Sequence, residues 1–185
     1  MNSEKQKQNA TFTAPNQSAN GFIFIIAQYI LRVFVIAFTL AGAIITATAY
    51  ESVTVFGIVM DAKYTYSAAF RFKVVADSVV CGLSVLSVLI LTALNHPKSN
   101  PMNYFYLFLH DLGSLLLLLS GCSSALAIGY VAQFGEQKMG WITICDRVSQ
   151  YCHKTMVAIV STFIAVICLL LLTILSAYKL KSARI

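Results

Sequence analysis

Residues 22–50 read FIFIIAQYILRVFVIAFTLAGAIITATAY, an apolar run carrying a single charge, Arg32. About 20 apolar residues carry a helix across a bilayer. A backbone in hydrocarbon must satisfy its own hydrogen bonds, so the run is expected to be a helix. Three further runs qualify: Phe70 to Leu94, Tyr104 to Val131, and Met156 to Tyr178. The third span carries Asp111, at a depth similar to that of Arg32 from the same end. A charge in hydrocarbon is costly unless it is paired or reaches water. Opposite charges at one depth predict that the first and third helices pack together through an Arg32–Asp111 pair. The alternative is separate solvation: Arg32 snorkels to the headgroups, and Asp111 lies about two turns into its span.

Composition agrees with a membrane bundle. The chain has 185 residues, 58% hydrophobic and 11% charged, where soluble domains have about a quarter of their residues charged. Most of that charge, 15 of the 20 residues, lies outside the runs. The expected fold is an all-α membrane protein, a bundle of four transmembrane helices over residues 22–180. Residues 181–185 form a short basic tail. The polar segment 1–21 reads as disordered, because it has no apolar surface to bury. No cleavable signal peptide is evident, and the first run reads as an uncleaved anchor.

Four spans place both termini and the middle loop on one side. That side carries Lys5, Lys7, Lys98, Lys179, Lys181 and Arg184. The other side carries Lys63, Lys138, Arg147 and Lys154, with Arg71 and Lys73 at the head of the second span. The bias toward the first side predicts cytosolic termini. Two sequons, at Asn9 and Asn16, would then be unused. The C-terminal basic residues can touch anionic lipid, but they are too sparse to indicate nucleic acid.

Cys81, Cys122 and Cys168 fall inside spans, where cysteine behaves as a small apolar residue. Cys145 and Cys152 share the last outer loop, 132–154. On an oxidising side they are expected to form a disulfide; otherwise they are two free thiols. With His153 they lack zinc-site spacing and a fourth ligand, so no metal is expected. Trp141, Tyr130 and Tyr151 suit the headgroup level. The inner loop, 95–103, contains Pro97 and Pro101 and reads as a tight connector between antiparallel helices.

Placing Arg32 opposite Asp111 sets Gly42 against Gly121 and Thr46 against Ala125. With Gly129, this predicts a small-residue seam between the first and third helices, Gly121-x3-Ala125-x3-Gly129 on one side. On the second helix, Lys73 and Asp77 are four apart and are expected to pair at the interface. Ser78 and Gly82 offer a second packing surface. No nucleophile–base pair, metal motif or phosphate loop appears, so no enzyme activity and no cofactor are expected. The ionisable groups sit toward the membrane edges, and no proline breaks a span, which argues against a transporter.

Several of these residues also carry a family likeness. The chain resembles the Casparian strip membrane domain proteins and their CASP-like relatives, plant proteins related to the MARVEL four-helix domain. The resemblance rests on Leu31-Arg32-Val33, His110-Asp111-Leu112, and Tyr66-Ser67-Ala68-Ala69-Phe70-Arg71-Phe72. Gly140-Trp141, with Cys145, Tyr151, Cys152 and His153, adds to it. It implies a non-enzymatic plasma-membrane scaffold that forms homo-oligomers and hetero-oligomers with related four-helix proteins. It also implies that the platform helps to localise secreted cell-wall enzymes. The first outer loop, Glu51 to Asp61, does not match the loop of the strip-forming members, which points to a CASP-like protein. The alternatives are a small transporter or channel subunit using Asp77 and Asp111, or a MARVEL-type trafficking protein.

Overall fold

The computed structural model describes the backbone of residues 2–55, 58–94, 101–136, 138 and 140–182, and side chains over most of 23–181. Four long helices dominate: α1 (Asn2–Thr48), α2 (Ala68–Leu94), α3 (Pro101–Phe134) and α4 (Ser149–Ser182). Each contains a stretch long and apolar enough to cross a membrane: Ile23–Thr48, Ala68–Thr92, Phe105–Phe134 and Ser149–Lys181. The segment 1–21, expected to be disordered, is instead helical from Asn2 onward as the first part of α1; its side chains lie outside the described residues. Most of the inner loop lies outside the described residues as well. Pro101 opens α3, a position where its missing N–H costs nothing.

The helices pack in a ring. α1 lies against α2 and α4, and α3 lies against the same two. α1 and α3 therefore face each other across the bundle axis and are not neighbours. The end bearing the chain termini is called here the terminal end, and the opposite one the loop end. Apolar side chains cover the outer faces, as Val33, Leu89, Leu116 and Val160 show, each more than half exposed on the isolated chain. In a bilayer these faces meet lipid or other helices.

The loop end is more ordered than its composition suggests. β1 (Tyr50–Val55) and β2 (Ile58–Lys63) form an antiparallel hairpin, with Tyr50 opposite Lys63 and Val55 opposite Ile58. The signal was present as Val53-Thr54-Val55 and Ile58-Val59 around Gly57, since β-branched residues on either side of a two-residue connection favour a hairpin. Lys63 bonds Asp61 at 3.1 Å, and that hydrogen bond raises the ammonium pKa. The hairpin is tied to the bundle by Glu51, whose carboxylate accepts the backbone N–H of Tyr151 at 2.8 Å. A carboxylate there meets unpaired amides and the positive end of the α4 dipole.

α3 ends at Gly135, whose N–H bonds the Val131 carbonyl at 2.8 Å and whose φ is +69°. This is the left-handed helix stop that glycine supplies without strain. Beyond it, Glu136 and Trp141 exchange backbone hydrogen bonds of 3.0 Å. A Cβ on Gly135 would meet the Trp141 carbonyl oxygen at 2.8 Å. Gly135→Ala is accordingly expected to destabilise the loop by about 2 kcal/mol. Limited proteolysis between 135 and 148 checks this: cleavage should accelerate while the spans stay protected.

Candidate functional site

Two buried polar tiers cross the bundle, each built around an ion pair. The first lies toward the terminal end. Arg32, about 14 Å into its span by helical rise, extends across the axis to Asp111. Its two terminal nitrogens meet the two carboxylate oxygens at 3.0 and 2.8 Å, a bidentate geometry that fits the guanidinium fork. Arg32 is 1% exposed and Asp111 0%. Arg32 also donates to Ser87 on α2 at 2.6 Å, and Ser87 donates in turn to the Ser84 carbonyl at 2.8 Å. Ser176 on α4 approaches Asp111 at 3.5 Å, and His110 Nδ1 lies 3.4 Å from it. Every helix contributes a group, so the pair joins the whole bundle.

The second tier lies toward the loop end. Lys73 and Asp77 are fully buried and 2.7 Å apart. Lys73 Nζ also donates to Thr162 on α4 at 2.9 Å and to Thr46 on α1 at 3.4 Å. Thr46 donates its own proton to the Gly42 carbonyl at 2.8 Å, which leaves a lone pair for the ammonium. The expected interfacial pair is therefore corrected to an interior one. The reason is rotational position: Lys73, Ala76, Asp77 and Val80 share the inward face of α2 and are all buried.

The small-residue seam is also corrected. Gly42 and Gly121 do not face each other. A Cβ on Gly42 would lie 2.6 Å from Thr162 Oγ1 and 3.1 Å from Asp77 Oδ2; one on Gly121 would lie 3.0 Å from the Ala76 Cβ. Gly129 faces Ile159 of α4, and Ala125 packs with Phe70, Cys122 and Ile159. The long Arg32 side chain spans a diagonal that small residues cannot bridge, so the small positions serve the neighbouring helices instead. Ser78 is exposed, and nothing approaches within 4 Å of the Cβ position of Gly82, so among the described residues that surface packs on no other helix.

Apolar layers separate the tiers. Val35, Val80, Leu118, Ala165, Leu169 and Leu172 form a buried plug with contributions from all four helices. In α1, α2 and α4 these residues fall between the two polar levels, and on α3 Leu118 lies on the loop side of Asp111. Phe70, Ala125 and Ile159 cap the Lys73 tier on its loop side.

At the loop end, Cys145 and Cys152 form a disulfide with Cα atoms 5.7 Å apart, within the ordinary range. It pins the last loop to the first turn of α4. Trp141 is 53% exposed and free to sit among headgroups, whereas Tyr151 turns inward and meets Phe70 edge-on at 6.2 Å. No group of three or more potential metal ligands occurs among the described residues. Sequence reasoning missed Ser87, Thr162 and Ser176 as partners, and Gln28 as a buried polar side chain one turn from Arg32. Their signal was present but weak: polar residues inside apolar runs, at helical spacing from a charge or from one another.

The family model described as the Casparian strip membrane protein domain matches residues 23–168, a range that contains both ion pairs and the disulfide. The chain is 44% identical to CASP-like protein 1F2 of Vitis vinifera over 85% of its length and 82% of the relative's. It is 43% identical to CASP-like protein 1F1 of Ricinus communis, covering 88% of this chain and 91% of that one. With CASP-like protein 1F2 of Populus trichocarpa, identity is 36% over 98% of this chain and 97% of the relative. No solved structure matches the chain. A four-span bundle with these pairs, matched along most of its length by these relatives, is a multi-pass membrane protein that belongs to the Casparian strip membrane protein domain family, among its CASP-like members.

Proposed function

We propose that this chain is a non-enzymatic scaffold of the plasma membrane. In this reading it assembles laterally with copies of itself and with related four-helix proteins. The assembly forms a membrane subdomain that positions secreted wall-modifying enzymes, and the termini face the cytosol.

The observation that carries the reading is the layered interior. Both ion pairs are bonded to other helices, and an apolar plug lies between them. The plug closes the body between its two ends, so the described residues offer no continuous polar path through it for an ion or solute. That weighs against the transporter reading, which needs a pathway lined by accessible charge. The outer faces, by contrast, are broad and apolar, and suit lateral contact.

The test is in-membrane crosslinking with single-particle tracking of tagged protein at native expression. The expected result is slow, clustered molecules at the cell surface and a ladder of self-crosslinks. Freely diffusing single molecules would overturn the reading, as would substrate-dependent flux through the pure protein in liposomes. Steady-state residence in endosomes would replace it with a trafficking role.

A further inference from the structure

The two tiers differ in one respect. Four buried side-chain atoms have no hydrogen-bond partner among the described residues: Gln28 Nε2, Arg32 Nε, His110 Nε2 and Ser114 Oγ. All four belong to the Arg32–Asp111 tier or lie within a turn of it. Gln28 is one turn before Arg32 on α1, and Ser114 is one turn after Asp111 on α3. Gln28, Arg32 and Ser114 are 3%, 1% and 1% exposed. In the Lys73 tier, by contrast, the ammonium, the carboxylate and both threonine hydroxyls are all bonded.

A buried donor without an acceptor costs about 1–3 kcal/mol. Several in one layer would weigh heavily on a fold. The groups are donor-rich and demand oxygen acceptors. They are too enclosed for a lipid headgroup, which leaves a molecule the size of water. Buried water commonly completes such sets of polar groups.

We infer that the terminal-end tier is a hydration site, holding at least two ordered waters that complete the hydrogen bonds of Gln28, Arg32 and Ser114. One water does not suffice. α1 and α3 run in the same direction, so Gln28 lies below the ion pair and Ser114 above it, about 10 Å apart in depth by helical rise. A single water reaches partners on opposite sides at most about 6 Å apart.

The apolar plug fixes the direction of access. Water enters from the terminal end, past the partly exposed His110 (23%), and stops at Val35, Val80 and Leu118. The Arg32–Asp111 pair can then exchange partners with water, while Lys73–Asp77 stays dry and locked. The bundle is thus soft at one end and rigid at the other.

The test uses the full chain, labelled with nitrogen-15, in lipid nanodiscs. Arg71→Lys, Arg147→Lys and Arg184→Lys together leave Arg32 as the one guanidinium. Magnetisation transfer from water to side-chain N–H groups is then measured. Transfer to Arg32 Nε–H and to the Gln28 amide is expected, with none to the backbone amides of Val35 and Val80. A dispersed spectrum with transfer at neither side chain overturns the proposal.

Substitution gives an independent reading. If waters bridge these groups, Ser114→Ala and Gln28→Leu should each lower Tm by about 2–4 °C. If the donors are dry and unpaired, removing them should leave Tm unchanged or raise it, which would also overturn the proposal.

Discussion

Asp111→Asn is expected to cost about 3–5 kcal/mol of bundle stability, because it strips the counter-charge from a buried guanidinium. The substitution keeps size and shape, so lost packing does not explain the effect. What changes is that one oxygen facing Arg32 becomes an N–H₂, and a bidentate pair at 3.0 and 2.8 Å becomes one bond beside a repulsion. The readouts are the monodisperse fraction on size-exclusion chromatography and Tm in nanodiscs. Arg32→Leu should lose a similar amount, since among the described residues it leaves Asp111 with only the long Ser176 and His110 contacts. Arg32→Leu combined with Asp111→Leu should recover much of the loss, because no uncompensated charge remains. A double-mutant cycle gives the coupling directly. If Asp111→Asn is as stable as the parent, the pair contributes nothing and Arg32 is solvated by other means.

Lys73→Met should be comparably damaging. Methionine preserves the length of the side chain and removes only the ammonium. Asp77 is then left with Thr162 as its hydrogen-bond donor, between the plug and the apolar cap. An expected loss of about 3–5 kcal/mol follows from an unpaired carboxylate in a dry layer. The outcome should also be specific. Adding Asp77→Leu to Lys73→Met should restore Tm, whereas adding Asp111→Asn should lower it further and additively, because the tiers are separated by the plug. If Lys73→Met left Tm unchanged, the Lys73–Asp77 pair would contribute nothing to stability.

The residues that were legible in advance share one property: their signal is local. Four long apolar runs separated by charged loops decide the number of spans, because hydrocarbon thickness imposes a length and lipid imposes helicity. Lys73 and Asp77 announce a pair because four residues make one helical turn. Arg32 and Asp111 could be matched across 79 residues only because a membrane supplies a common depth scale that a soluble fold lacks. The hairpin at 50–63 went unread because its β-branched residues sat in a segment treated only as a loop.

Which faces meet could not be read in the same way. Gly42, Gly121, Ala125 and Gly129 lie at helical spacing, but spacing states only that a face exists, not what it touches. The ring order of the helices decides that. It sets α1 and α3 across the axis, so the ion pair spans a diagonal while the glycines seat α2 and α4. Ring order likewise turned Lys73 from the interface into the interior and brought Thr162 and Thr46 to it. The sequence by itself determined the number of spans and the charges that must be neutralised, because both follow from the transfer cost of single segments into lipid. Only the tertiary structure decided the partners, because they depend on the simultaneous packing of four helices.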